Sequence, residues 1–185
     1  DLSIILFIGV EMEEFDFEQA NNREYVLNAV KKDGKLLDFA SKELQDDKEI
    51  AMAAVEQNPI ALEFVSTRLK DDREIVYCSV SRIGWTACYA SDKLRGDKEL
   101  ILAGVKIDGQ ILYYSSKELR DDKDVVLQAV TNKGLILKYA SRRLRNDKEV
   151  VIAAIKQDKR AKEYIDSEEL KQDEEIQAIL NPPQE

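Results

Sequence analysis

Residues 47–71 read DKEIAMAAVEQNPIALEFVSTRLKD, and the pattern they set recurs every 25 residues along the chain. Asn22, Asp47, Asp72, Asp97, Asp122 and Asp147 open successive units without slippage, and Asp173 opens a seventh one residue late. A fixed period of this length marks a stacked repeat, in which each unit buries its apolar face against its neighbours. Within the unit, Ile50, Ala51, Ala54 and Val55 fall on one helical stripe, which Val125, Val126, Ala129 and Val130 repeat. Met52 and its counterparts Leu27, Tyr77, Leu102, Leu127 and Ile152 widen that stripe, as a helix flanked on more than one side requires. A small residue at Ala29, Ala54, Ser79, Gly104, Ala129 and Ala154 predicts a close approach between helices.

The ends of these helices have local signals of their own. Asp46 with Glu49 reads as a capping box, as do Asp71 with Glu74 and Asp121 with Asp124. Gly34, Gly84, Gly109 and Gly134 predict left-handed caps at the helix C-termini. Pro59 stands in the same column and cannot take a positive φ, so Asn58 is expected to cap and Pro59 to open the next helix. Lys159 departs from the column, as a decaying terminal unit would. A second helix of about 7 residues follows, roughly 10 Å long at 1.5 Å per residue. It carries an aromatic at Phe39, Phe64, Tyr89, Tyr114, Tyr139 and Tyr164. Ser-x-x-Leu then recurs at Ser41/Leu44, Ser66/Leu69, Ser91/Leu94, Ser116/Leu119 and Ser141/Leu144, the serine capping one further turn and the leucine pinning it.

The fold class is therefore all-α: an α-solenoid of about six 25-residue repeats, each a long helix, a glycine turn, a short helix and a Ser-x-x-Leu turn. Right-handed winding is the default expectation for such stacks. Residues 1–21 form a segment or cap outside the repeat, 22–171 the six repeats, and 172–185 a partial seventh repeat or cap helix with a tail. The apolar gain of one unit only matches the entropy cost of ordering it, so a lone unit should not fold and the stack should.

The consensus (D)DKEVVLxAVxxxGxxLxYASxxLR is similar to the tandem repeats of the family called domain of unknown function 4116. The strings that carry the resemblance include Asp122-Lys-Asp-Val-Val-Leu-Gln-Ala-Val130, then Gly134 and Tyr139-Ala-Ser141. It covers residues 22 to about 170 and implies helical repeats, with no catalytic residue to carry over.

Composition narrows the chemistry. The chain has no histidine, which removes the commonest general base and metal ligand. Cys78 and Cys88 are too few for a four-ligand zinc site, and no phosphate-binding glycine loop or nucleophile elbow occurs. Most carboxylates sit at repeating cap positions, so the expectation is a chain that is not an enzyme, with no cofactor and no metal. The sparse cysteines make a reducing, cytoplasmic setting the default. A chain that begins at Asp1 reads as a fragment or processed product, and the apolar run Leu2–Val10 is too short to span a bilayer. That run is expected to be an N-terminal strand or helix, with a signal-peptide remnant as the alternative.

Net charge of −9 disfavours nucleic acid as a partner. Two basic columns run against it: Arg23, Lys48, Arg73, Lys98, Lys123 and Lys148, and Lys70, Arg95, Arg120, Arg145 and Lys171. Both lie beside the acidic caps, so mutual pairing is the expectation. Structural positions are filled alike in every unit, so a binding surface should appear where a polar column turns apolar. Two columns of the second helix do this. One reads Lys35, Ile60, Trp85, Gln110, Leu135, Arg160; the other reads Asp38, Glu63, Cys88, Tyr113, Lys138, Glu163. Ile60, Trp85, Cys88, Tyr113 and Leu135 are the candidate partner-binding residues, centred on a tryptophan of the kind that dominates hot spots. The alternative is that Trp85 fills an irregularity between units or covers Ile83 and Ile107. The expected function is a non-catalytic scaffold for a protein partner, with self-association as a further route. Two other readings stand beside it: an accessory or substrate-recruiting region of a larger enzyme or effector, and a binder of acidic ligands or nucleic acid through the basic columns.

Overall fold

Each unit opens on an α-helix: Arg23–Lys32, Lys48–Gln57, Arg73–Val80, Lys98–Val105, Lys123–Asn132 and Lys148–Gln157, with Glu174–Leu180 after them. These helices lie side by side, each packed on those of the units before and after it. The computed structural model describes residues 15–182, all helix, turn or coil; the run Leu2–Val10 and Pro183 lie outside the described residues. A second layer of 3-10 helices packs in the same order beside the first: Gly34–Phe39, Pro59–Glu63, Gly84–Tyr89, Gly109–Tyr113, Gly134–Tyr139 and Lys159–Tyr164. Between the layers runs one continuous core, to which Ile50, Ala51, Ala54, Val55 and their counterparts contribute fully buried side chains. The molecule is an α-solenoid.

The second helix is thus a 3-10 helix of five or six residues where a seven-residue α-helix is expected from the sequence. Residues three apart eclipse in a 3-10 helix, so its three edges have separate fates. Gly34, Leu37 and Ala40 are buried on one edge, and Gly84, Ala87 and Ala90, or Gly134, Leu137 and Ala140, repeat this. The edge bearing Leu36 and Phe39 is buried to half-buried. The third edge, bearing positions such as Trp85 and Cys88, is the one the stack leaves open.

The N-cap is the unit-opening residue, not the one before it. Asp47 accepts from Glu49 N at 2.9 Å and Ile50 N at 3.1 Å, and Asp72, Asp122, Asp147 and Asp173 do likewise. With the cap at Asp47 its third helical residue is Ile50, so the box expected between Asp46 and Glu49 cannot close; the same shift applies at Asp71 and Asp121. Those three carboxylates reach into the next unit instead. Asp46 takes the Ser66 hydroxyl and Arg68, Asp71 takes Ser91 and Lys93, and Asp121 takes Ser141 and Arg143.

The glycine column also differs from expectation. None of Gly34, Gly84, Gly109 and Gly134 has a left-handed backbone. Their requirement is space: a Cβ on Gly109 would lie 2.5 Å from the Ala129 carbonyl oxygen, and one on Gly34 or Gly134 would overlap the Ala54 or Ala154 carbonyl. The column of small residues is what lets the preceding 3-10 helix come this close. Helices end instead on extended residues whose side chains cap the 3-10 helix, as Asp33, Asn58, Asp108 and Asp158 do. Asn58 with Pro59 at the first helical position behaves as expected.

The serine caps form as expected, Ser41, Ser66, Ser91, Ser116, Ser141 and Ser167 each accepting from the leucine amide three residues on. What they cap alternates through the first five units. Lys42–Gln45, Asp92–Arg95 and Arg142–Arg145 are α-turns, whereas Leu69–Asp71 and Leu119–Asp121 are 3-10 turns; the sixth, Glu168–Lys171, is again an α-turn and breaks the alternation. Through these five units the structure repeats in pairs of 25-residue units.

Candidate functional site

Neighbouring units are joined by three periodic sets of polar contacts. The first is backbone: the amides of Ser66, Ser91, Ser116 and Ser141 donate to the carbonyls of Gln45, Lys70, Arg95 and Arg120 at 2.8–3.1 Å. The second is a line of ion pairs, in which Arg23 bridges Asp47 and Glu49, Lys48 bridges Asp72 and Glu74, and so on to Lys148 with Asp173 and Glu175. These partners hold the capping carboxyls low. At Asp47 and Asp97 the arginine hydrogen bond is the main cause. At Asp72, Asp122 and Asp147 burial pushes the other way, and the lysine and two backbone amides outweigh it. The third set sits at the glycine turns, where Gln57 accepts from Gly34 N at 2.7 Å and donates to Lys32 O at 2.9 Å.

The first basic column is thus spent on structure, as its pairing predicts. The second is mostly spent too: Lys70 donates to Glu63 O, Arg95 pairs with Asp92, Arg145 with Asp166 and Lys171 with Glu168. Among the described residues Lys70 and Arg120 of this column have no ion pair.

The five candidate residues all lie on the open edge of the 3-10 layer, from Ile60 in the second unit to Leu135 in the fifth. None is buried: Tyr113 is 51% exposed and the other four are half-buried. Trp85 therefore neither disappears into the core nor stands clear of it. Its ring meets Tyr89 edge-on at 5.9 Å, while Tyr113 meets Tyr114 at 5.0 Å and Tyr139 at 4.8 Å. The half-buried aromatic column, which looks purely structural in the sequence, thus forms the floor on which Trp85 and Tyr113 stand. Burial pushes the Cys78 and Cys88 thiols up and lowers Lys70, and burial with the Glu63 hydrogen bond pushes Tyr89 up to about 12. Both cysteines are free, and neither is a ready nucleophile with its thiol raised.

Two surface features have no clear sequence signal as parts of the site. Tyr77 and Ile107 are exposed, on the helix layer and at its C-terminal end. A cleft of about 370 Å³ opens between the fourth and fifth units, lined by Lys117, Arg120, Lys138, Tyr139, Arg142 and Arg145 among others. Its signal is a coincidence of register, visible only once the turns are superposed. No group of three or more His, Cys, Asp or Glu side chains among the described residues is placed to hold a metal ion. No described helix is long and apolar enough to cross a membrane.

No curated protein and no solved structure matches the chain. The family model described as "Domain of unknown function (DUF4116)" matches three times in tandem, at residues 22–70, 72–120 and 122–171. Each match spans one pair of units, and the first two are in step with the alternation of α and 3-10 turns. By these matches over most of its length, the chain belongs to the DUF4116 family.

Proposed function

We propose that this chain is a non-catalytic repeat scaffold that binds a protein partner through the open edge of its 3-10 layer. The observation that carries the reading is Tyr113, half exposed on an aromatic floor and in line with Trp85, Ile60, Cys88 and Leu135. Rigid aromatic side chains seated on a packed layer are the chemistry of a binding hot spot, since they bring large contact area at little entropy cost. The charged members of the same edge, Lys35 and Asp38 at one end and Arg160 and Glu163 at the other, would supply its polar rim. Support for a non-catalytic role comes from the carboxylates, which are committed to caps and ion pairs, and from the lack of histidine.

The test is affinity purification of the full-length protein from its own cells, run beside Trp85→Ala and Tyr113→Ala. The expected result is a specifically captured protein that both variants lose while their thermal melts stay close to the parent's. Capture unchanged in both variants would overturn the assignment, and turnover by the purified chain would overturn the non-catalytic reading.

A further inference from the structure

The cleft between the fourth and fifth units is the place where the charge of this chain reverses. Five of its lining side chains are cationic: Lys117 and Arg120 from the fourth unit, and Lys138, Arg142 and Arg145 from the fifth. The chain as a whole has a net charge of −9, and no carboxylate lines the cleft. The same five positions can be read at every other junction. They are Lys42, Gln45, Glu63, Thr67 and Lys70 at the first, and Thr67, Lys70, Cys88, Asp92 and Arg95 at the second. The third has Asp92, Arg95, Tyr113, Lys117 and Arg120; the last has Arg142, Arg145, Glu163, Glu168 and Lys171. Each of those sets contains an acid, and none has more than three cations. Arg120 and Arg145 belong to the basic column that recurs at most junctions, but the columns of Lys117, Lys138 and Arg142 hold acidic, neutral or basic side chains from unit to unit, so the repeat does not dictate their uniform sign here.

Within the cleft the cations are unequally occupied. Arg145 is held by Asp166 and by the Ala140 carbonyl, and Lys138 lies over the Tyr139 ring at 4.7 Å. Lys117, Arg120 and Arg142 have no ion pair among the described residues. Of the neighbouring acids, Glu118 is turned to its own backbone amide and to the Ser116 hydroxyl and meets Lys117 and Arg120 only through space, while Asp121 is taken by Ser141 and Arg143. Two guanidinium groups and an ammonium without ion pairs around one concavity form a receptor for a compact dianion. Arginine forks meet phosphate oxygens in pairs, and a phosphorylated side chain brings nearly two charges to one point. A nucleic-acid strand fits less well. It has one charge per nucleotide and would run from this cleft onto Asp92 on one side and Glu163 and Glu168 on the other.

We propose that this cleft binds a phosphorylated serine or threonine of a protein partner, with Arg120 and Arg142 as the phosphate-gripping residues. The proposal rests on the scaffold reading for the partner being a protein, and it uses none of the Trp85 surface residues. Tyr139 joins the two regions, touching Tyr113 and lining the cleft, so one partner segment could place apolar side chains on Tyr113 and its phosphate in the cleft.

The probe is a labelled pentapeptide, Ala-Gly-phosphoserine-Gly-Ala, titrated into the full chain and followed by anisotropy and by amide shifts in NMR. Three comparison ligands are used: the unphosphorylated peptide, the peptide with glutamate at the centre, and a short single-stranded RNA. The expected result is a preference of about ten-fold or more for the phosphopeptide over both unmodified forms, weakening with salt. Amide shifts should centre on residues 117–120 and 138–145. The double variant R120E/R142E should lose about ten-fold or more in affinity, while Arg68→Glu, on a structural ion pair elsewhere, should not. Equal binding of all three peptides, tighter binding of RNA at the same residues, or no saturable binding at millimolar phosphopeptide would each overturn the proposal. Binding that persists in Trp85→Ala separates this site from the apolar surface.

Discussion

Two junctions of the stack make the same connection by different means. Between the fifth and sixth units Gly134 presses against the backbone of Ala154, and Gln157 accepts the Gly134 amide at 2.5 Å. Between the third and fourth units Gly84 faces the Ile111 side chain, Gly104 replaces the alanine, and Ile107 stands where the glutamine would be. Ile107 has no polar group to offer and is 49% exposed. The first junction is closed by backbone contact and a polar clamp; the other is packed through a side chain and has no clamp. The candidate surface is centred on the second kind. A solenoid can relax its connection where the outer edge is used for something else, because each unit depends only on its neighbours.

The junction between the second and third units shows that the clamp follows hydrogen-bond chemistry. Pro59 has no amide hydrogen, so an acceptor opposite it would be useless. The clamp position there is Arg82, which only donates, and it reaches Val55 O and Glu56 O at 3.2 and 2.6 Å. Ser79 fills in from the other side, its hydroxyl 2.8 Å from Pro59 O and 2.7 Å from Thr86 Oγ1, all within the core.

The sharpest way to break the comparison is to add one methyl group to each junction. Gly134→Ala places Cβ on the Ala154 carbonyl and 3.0 Å from the Asp158 amide, groups fixed by the helix itself. It should cost about 3 kcal/mol or more, since overpacking against backbone cannot relax. Gly104→Ala meets the Ile111 side chain and Val80 Cγ1, at 2.7 Å for the latter, and these can turn aside. An alanine also gains about 1 kcal/mol of helix propensity, so the net change should be within about 1 kcal/mol of zero. Urea unfolding of both variants checks the pair; equal losses would mean that the two junctions are packed alike.

The apolar stripes, the serine turns and the solenoid itself were legible because a 25-residue period repeats each signal several times. The cap position was not, because adjacent aspartates such as Asp46 and Asp47 each satisfy a capping pattern, and only the helix start decides between them. The glycine column was legible as a requirement but not as a cause, since a tight approach and a positive φ leave the same mark. Six residues cannot distinguish a period of 3 from 3.6, which hid the 3-10 layer and with it the reason that Trp85 and Cys88 share an open edge. The basic cleft stayed hidden because its cations come from two units and lie 28 residues apart at the extremes, from Lys117 to Arg145.

A second, smaller effect should come from moving the clamp. Ile107→Gln brings an acceptor to the Gly84 amide and should stabilise by about 1 kcal/mol, while Gln157→Ile should lose about as much at the regular junction. The two changes are mirror images, so thermal melts that move in opposite directions confirm the clamp. A stable Gln157→Ile would show instead that backbone contact alone closes that junction.

The smallest effect concerns charge. The residue before each unit opener reads Asn21, Asp46, Asp71, Gly96, Asp121 and Asn146, and its partner in the next turn reads Glu43, Arg68, Lys93, Glu118, Arg143 and Glu169. Wherever the first is aspartate the second is basic, and wherever it is not the second is glutamate. The ion pair forms at the three places that have the aspartate, and each pair is exposed and singly worth little. Its use is to favour one unit as neighbour over another, which matters in a chain of near-identical repeats. A Cβ built on Gly96 lies 3.3 Å from the Lys93 carbonyl oxygen and 3.8 Å from Ser116, so with a shift of a few tenths of an ångström Gly96→Asp with Glu118→Arg should recreate the Asp46–Ser66–Arg68 arrangement. The gain should be small and should depend on pH in a stated direction. At Asp46 the Ser66 hydroxyl and then Arg68 hold the carboxyl below its usual range, so the stabilisation is complete above that range and is lost as pH falls through it. The double variant should therefore melt slightly above the parent at neutral pH and with it in acid. A gain that survives acidification would place its origin in the lost glycine, through a stiffer unfolded chain, and not in the ion pair.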